Sequence, residues 1–240
     1  MDASTALRGE LEPFVYTFVE YVSGSAFQKL LALISLSPIF VMVSYATLLV
    51  SRRDLHTLTL LCGQLVNEAV NTALKHALGV ARPFPALHAA FNAASPYAMP
   101  SDHAQFVFFL AAYVALWSSR RWLVGAAWRL ALVSVAFAWA CAVSVSRVVL
   151  RYHTVSQIVA GAVIGAVGGA AWFHFTERVL RPRFSGIANA PFARALLIRD
   201  CTHVNVIVEE YRAVARAEGA ATRRDAHGSH SRGGARDADV

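Results

Sequence analysis

An all-α, polytopic bundle of membrane-spanning helices is the fold this sequence predicts, and three observations predict it. Hydrophobic residues make up 56% of the 240 and charged residues only 15%, where soluble domains average about 25% charged. Mean hydropathy is +0.46. Apolar stretches recur along the chain with arginines at their ends, and the longest approach the roughly 20 residues that cross a bilayer. The length suits one domain. The net charge of +7 belongs to arginines lying between and after the apolar runs, where membrane topology puts them. No basic stretch interleaved with aromatics points to nucleic acid.

Residues 1–26 are polar to amphipathic, with Asp2, Glu10, Glu12 and Glu20 set against Arg8. They lack the basic start of a cleaved signal peptide, so the first apolar run is expected to stay as a span. That run is Leu30 to Val50, ended by Arg52 and Arg53. Pro38 lies inside it, which a membrane helix tolerates. Leu55 to Leu74 is the second candidate. Its Gln64, Asn67, Glu68 and Asn71 must face other helices or the interface, because lipid rejects them. This segment is why the expected count of about five spans carries a range of four to six.

Residues 75–100 hold four prolines, Pro83, Pro85, Pro96 and Pro100, and read as a loop. Ala104 to Trp117 is short for a span, so its helix is expected to begin near Ser101. Ser118 to Trp122 reads as a turn carrying Arg120 and Arg121. Leu123 to Val145 is the fourth stretch and Val155 to Phe175 the fifth. Gly161, Gly165 and Gly169 recur at every fourth residue, a spacing that lets membrane helices approach closely. No GxxxxGK[ST] pattern makes them a phosphate loop. The membrane-embedded domain is thus 27–177, followed by a basic, amphipathic segment over 178–216. Residues 217–240 have the composition of a disordered tail, with His227 and His230 solvated. Cys62, Cys141 and Cys201 read as free thiols, the first two buried in apolar segments. No Cys/His cluster calls for a metal, and no cofactor is expected.

Arg52/Arg53, Arg120/Arg121 and the basic C-terminal segment are expected on the cytosolic side, with the N-terminus opposite. Five spans satisfy this and put the loops 75–103 and 146–153 on one non-cytosolic face. Those loops carry three polar clusters: Lys75 with Arg82-Pro83, then Pro100-Ser101-Asp102-His103, then Ser146-Arg147 with His153 and Gln157. A phosphoryl group in transfer spreads negative charge over its oxygens, which fixed cations and N–H donors stabilise. Lys75, Arg82 and Arg147 can form that cage, and the arginine fork suits phosphate. Ser101, after a proline, can cap a helix whose free N–H groups face an anion. Of the two histidines, a neutral imidazole can attack phosphorus and an imidazolium can protonate the leaving oxygen. Singly, such a lysine or arginine is usually a snorkelling anchor. All three clusters in order on one face is the stronger signal. His56, His76, His88, His174 and His203 lie outside the pattern and read as structural.

These clusters resemble the three-part signature of the type 2 phosphatidic acid phosphatase superfamily, which shares its core with vanadium haloperoxidases. The pattern is Lys-x6-Arg-Pro, Pro-Ser-Gly-His, and Ser-Arg-x5-His-x3-Asp. Here Asp102 replaces the glycine and Gln157 the final aspartate. The segments Leu33 to Val43, Leu55 to Asn71, Tyr97 to Phe106, Ser146 to Gln157 and Leu197 to Asp200 are similar to those of dolichyldiphosphatases, which also use glutamine at the last position. The resemblance implies a helical bundle with its site at the membrane surface and a metal-independent hydrolysis of a dolichyl (polyprenyl) diphosphate. It implies His153 as nucleophile forming a phosphohistidine, His103 as the acid, and Lys75, Arg82, Ser101 and Arg147 as phosphate ligands. It further implies the endoplasmic reticulum membrane, with the site facing the lumen and the C-terminus cytosolic, and a product recycled for N-glycosylation. Gln157 is expected to orient His153, with the charge balanced by the substrate phosphate or by Asp102, which reads at least as readily as a helix-start acid favoured by the dipole. Two alternatives stand beside this: the same chemistry on another lipid phosphate, and a non-catalytic lipid-diphosphate binder or transporter using the polar second span. Nothing in the sequence addresses oligomeric state.

Overall fold

The structure, a computed structural model, describes residues 11–13, 19–84, 96–120, 125–201 and 211–219. The described residues form helices, apart from one short hairpin of β1 (Leu11–Pro13) and β2 (Glu20–Val22). Its strands pair antiparallel, with Leu11 opposite Val22 and Pro13 opposite Glu20. The sequence predicts no regular element in this region, because two three-residue strands leave no period to detect.

The first span differs from one continuous run over Leu30 to Val50. It comprises α1 (Ala26–Ser35) and α2 (Ser37–Arg52), broken at Leu36. Pro38 occupies the first turn of α2, where its missing N–H costs least. Ser25 caps α1 by accepting from the Gln28 N–H at 3.3 Å. Together α1 and α2 make a 27-residue stretch apolar enough to cross a membrane.

α3 (Leu55–Leu78) starts on an Asp54 cap and ends at Gly79, whose φ of 59° is the left-handed conformation that favours glycine. It runs about 30 Å from Leu55 to Lys75 at 1.5 Å per residue, a hydrocarbon thickness. It therefore extends into the stretch expected to be loop. α4 (Asp102–Arg120) also continues to Arg120, past the expected turn at Ser118. α5 (Ala126–Val149) and α6 (Val155–Phe175) follow. Beyond Phe175 the helical path continues through a π-helical turn (Thr176–Leu180) and a 3-10 turn (Arg181–Arg183) into α7 (Phe184–Asn189), and α8 (Pro191–Ala195) follows. Ala126–Val149 and Val155–Asn189 are the other two described stretches long and apolar enough to cross a membrane. α3 and α4 have the length, but their polar side chains lower the mean hydropathy. The helical stretch 211–219 runs past the expected tail boundary at 217. His88, His203, His227 and His230 lie outside the described residues.

α3 is polar on its buried face and apolar on its exposed face. On α3, Gln64, Asn67, Asn71 and Lys75 are buried, whereas Leu65, Val66 and Val70 are exposed. Asn71 donates to the Gln105 side chain of α4 at 2.8 Å, and Gln105 donates back to the Asn67 carbonyl at 2.8 Å. Gln64 donates to the Phe106 carbonyl at 3.2 Å. Three of the four polar residues expected to face other helices do so. Glu68 is exposed and lines a cavity beside α4. Cys62 and Cys141 are exposed on the outside of the bundle, not buried. An apolar residue of a membrane helix is as well placed against lipid as in a core, so apolar surroundings do not imply burial.

α6 shows the same inversion. Val155, Val159, Val163 and Val167 are exposed, and Gln157, Gly161, Gly165 and Gly169 are buried at the same four-residue period. A Cβ on Gly161 would stand 2.5 Å from the Ser101 carbonyl oxygen, and on Gly165 or Gly169 it would strike the Gln105 or Phe109 carbonyl. Only glycine lets α6 lie this close on α4. That seam sets the start of α6 beside the start of α4, where the site forms.

Candidate active site

Four segments meet at the end of the bundle away from Arg53. Lys75 comes from the last turn of α3 and Arg82 from the loop just after it, where Ala81 bridges to Tyr97. The Ala98 N–H donates to the Val80 carbonyl at 2.9 Å, which draws Pro100-Ser101 toward α3. Ser101 is fully buried. Its hydroxyl accepts from the Ala104 N–H at 3.5 Å, as a helix cap should, and its own N–H donates to the Gln157 carbonyl at 3.1 Å. Arg147 lies in the last turn of α5 and is buried. The chain then turns through Arg151 at φ 61°. The Tyr152 and His153 N–H groups both donate to the Arg147 carbonyl, at 2.9 and 3.2 Å.

Every site residue expected from the sequence is thereby brought to one place. Asp102 is the hub. Its carboxylate stands 3.5 Å from the Lys75 ammonium, 3.1 Å from His103 Nδ1 and 3.7 Å from His153 Nε2. The last distance is ion-pair range, too long for a hydrogen bond. By sequence, an acid favoured by the helix dipole suits that position as readily as a partner for His153. Only the packing of α6 on α4 shows it between both histidines. His56 hydrogen-bonds the Tyr113 hydroxyl at 3.2 Å and His76 packs edge-on to Tyr97, so both stand apart from the cluster.

The protonation of His153 follows from its neighbours. Gln157 is the third residue of α6, in a capping box with Thr154. Its side-chain oxygen accepts from the Thr154 backbone N–H at 3.0 Å and lies 3.3 Å from His153 Nδ1. A backbone N–H only donates, so the amide must present its oxygen. That oxygen can bond Nδ1 only if Nδ1 carries the proton. The lone pair is then left on Nε2, which is buried and has no hydrogen bond among the described residues. Burial holds the His153 imidazole below its ordinary pKa, Asp102 pulls it up, and Arg147 and Arg82 push it down. The balance favours the neutral ring. Burial also lowers the Arg82 guanidinium, with Asp102 opposing, and an arginine so placed stays cationic.

The sequence marks Tyr152 only as a neighbour of the signature. The Arg147 guanidinium lies over its ring, 3.9 Å from the centroid. An aromatic one residue before the histidine carries no spacing signal by itself.

The PAP2 superfamily profile matches residues 56–181, which contain every one of these side chains. The chain belongs to the PAP2 superfamily. Over 229 residues it is 39% identical to dolichyldiphosphatase 1 of Homo sapiens, covering 90% of this chain and 93% of the relative. It is 33% identical to the dolichyldiphosphatase of Saccharomyces cerevisiae over 168 residues, 67% of this chain and 69% of the relative. The lipid phosphate phosphatase gamma of Arabidopsis thaliana is 31% identical over 215 residues, 84% and 90% of the two chains. No solved structure matches the chain. This PAP2 protein is a phosphatase of the hydrolase class and a multi-pass membrane protein.

Proposed function

We propose that this PAP2 protein hydrolyses dolichyl diphosphate to dolichyl phosphate and phosphate through a phosphohistidine, without a metal. The observation that carries the proposal is the buried Nε2 of His153, which makes no hydrogen bond among the described residues, with Gln157 on Nδ1 and buried Lys75, Arg82, Ser101 and Arg147 in the same cluster. Nε2 attacks the terminal phosphorus and a P–N bond forms. The bond from phosphorus to the bridging oxygen breaks. His103 gives its proton to that oxygen, and dolichyl phosphate leaves. A water, deprotonated by His103, then attacks the phosphohistidine and releases phosphate. Lys75, Arg82 and Arg147 hold the phosphoryl oxygens as charge moves onto them. Asp102 offsets the positive charge that Gln157, a neutral amide, leaves on the His153 ring.

An apolar tail beside the site is supported by a cavity of about 310 Å³ that α2, α3 and α4 line and that reaches Asp102 and His103. Pro38, Ile39, Met42, Leu65 and Phe106 line it. Gln64, Asn67 and Asn71 each donate a hydrogen bond to α4, contacts that favour a helix-pairing role for the polar second span. The curated relatives named dolichyldiphosphatase support the substrate. The same reading assigns the protein to the endoplasmic reticulum membrane, with the site lumenal, the C-terminus cytosolic and the product returned to N-glycosylation.

The test is phosphate release by the purified protein in detergent with excess chelator, beside His153→Ala. Dolichyl diphosphate, phosphatidate and a short polyprenyl diphosphate are offered together. Dolichyl diphosphate should be cleaved fastest, and the variant should be inactive. Preference for phosphatidate overturns the substrate and keeps the mechanism. Activity that vanishes with the chelator and returns with a divalent cation overturns the mechanism.

A further inference from the structure

Arg147 is gripped at both ends by one residue outside the superfamily signature. The Tyr152 N–H donates to the Arg147 carbonyl at 2.9 Å, and the Tyr152 ring lies under the Arg147 guanidinium at 3.9 Å. Tyr152 is itself only 2% exposed and packs with Val19, Leu31, Ala32, Leu36 and Leu150. Its hydroxyl accepts from the Glu20 backbone N–H at 3.1 Å, across 132 residues of sequence. Glu20 belongs to β2, and Val22, at the far end of that strand, donates its N–H to the Gln28 side chain of α1 at 2.9 Å. The N-terminal hairpin is thus tied through one aromatic ring to a phosphate ligand.

A guanidinium meets a phosphoryl group well only in one orientation of its planar fork. A ring face attracts it and limits its swing, and the attraction is strongest where water is excluded. We propose that Tyr152 is a positioning residue that holds the Arg147 fork ready for the transferring phosphoryl group. Tyr152 touches no reacting atom. Its work is done before substrate arrives, by removing an ordering cost that would otherwise fall on the transition state. This inference rests on Arg147 being a phosphate ligand.

The test is a double-mutant cycle on the purified full-length protein, with kcat and KM for dolichyl diphosphate and inhibition by orthovanadate, a mimic of phosphoryl in flight. Tyr152→Met keeps the bulk and removes the ring face. It should lower kcat about tenfold, the order of a desolvated cation–π contact, with KM little changed and vanadate binding weakened in parallel. In an Arg147→Gln background, which has no cation, the same change should cost less than about twofold, because a partner already removed leaves nothing to couple. Tyr152→Phe, which keeps the ring, should recover most of the rate. Phenylalanines with increasing ring fluorination at 152 preserve the shape and drain the face of charge, so log kcat should fall steadily along the series. Equal losses from Tyr152→Met in both backgrounds, or a flat fluorination series, overturn the positioning role while leaving Arg147 a ligand. An Arg147→Gln variant as active as the parent overturns the phosphate reading of Arg147 and this inference with it.

Discussion

Replacing Gly161 by alanine separates helix propensity from active-site geometry. Alanine is better than glycine inside a helix by about 1 kcal/mol, so propensity alone predicts a more stable protein. The seam predicts the reverse. The new methyl would lie 2.5 Å from the Ser101 carbonyl oxygen and 3.2 Å from its nitrogen. Ordinary contact begins at 3.4 Å, so α6 must back away by about 0.9 Å, and the Ser101 backbone at the cap of α4 cannot swing aside as a side chain can. Overpacking of this kind costs about 1–3 kcal/mol, which cancels or exceeds the propensity gain. The larger effect is on rate. α6 carries Gln157, whose side-chain oxygen lies 3.3 Å from His153 Nδ1, and α4 carries Asp102 and His103. A displacement near 1 Å between reacting groups can cost about a hundredfold. Gly161→Ala should therefore lower kcat for phosphate release by roughly two powers of ten, measured in detergent with thermal unfolding in parallel. Full activity with raised thermal stability would refute the close α4–α6 seam as the device that sets the site.

Four further outcomes follow from the same geometry. Gln157→Ala removes the lock on the His153 tautomer, a hydrogen bond worth about 1 kcal/mol, and should slow kcat several-fold; an unchanged rate contradicts the orienting role. In the proposed mechanism neutral His153 attacks, and burial holds its pKa down. The acid limb of kcat/KM should therefore lie below the ordinary histidine value of about 6.5, and removing the opposing charge by Asp102→Asn should move it lower still. A pH-rate profile whose limb rises in that variant disproves the assignment. Arg82→Ala should cost about two to three powers of ten in kcat, as loss of one preorganised donor does, with protein yield and melting little altered. Asn71→Leu strands the Gln105 amide that it bonds at 2.8 Å; an unsatisfied buried group costs about 1–3 kcal/mol, readable as earlier thermal unfolding in the same detergent.

Much of the site is legible in the sequence, because phosphoryl transfer demands particular side chains and the chain spaces them in recognisable runs. Lys75, Arg82, Ser101, His103, Arg147, His153 and Gln157 can each be named from those runs, and the glycine series can be assigned to packing. Burial is misread where lipid replaces water. Apolar surroundings place Cys62 and Cys141 inside, yet both face outward. The hairpin at Glu20–Val22 is unreadable because its strands are too short for a period.

What the sequence by itself determined is the chemistry on offer and the apolar lengths that carry it through a membrane. Both are local, written in residue type and spacing. What only the tertiary structure decided is who meets whom. The Asp102 carboxylate stands between Lys75, His103 and His153 because the glycines of α6 let two backbones close. Tyr152 became more than a neighbour of the signature because Glu20 reaches its hydroxyl across 132 residues. Such contacts depend on helices closing to within a few ångströms, and no residue's identity encodes that distance by itself.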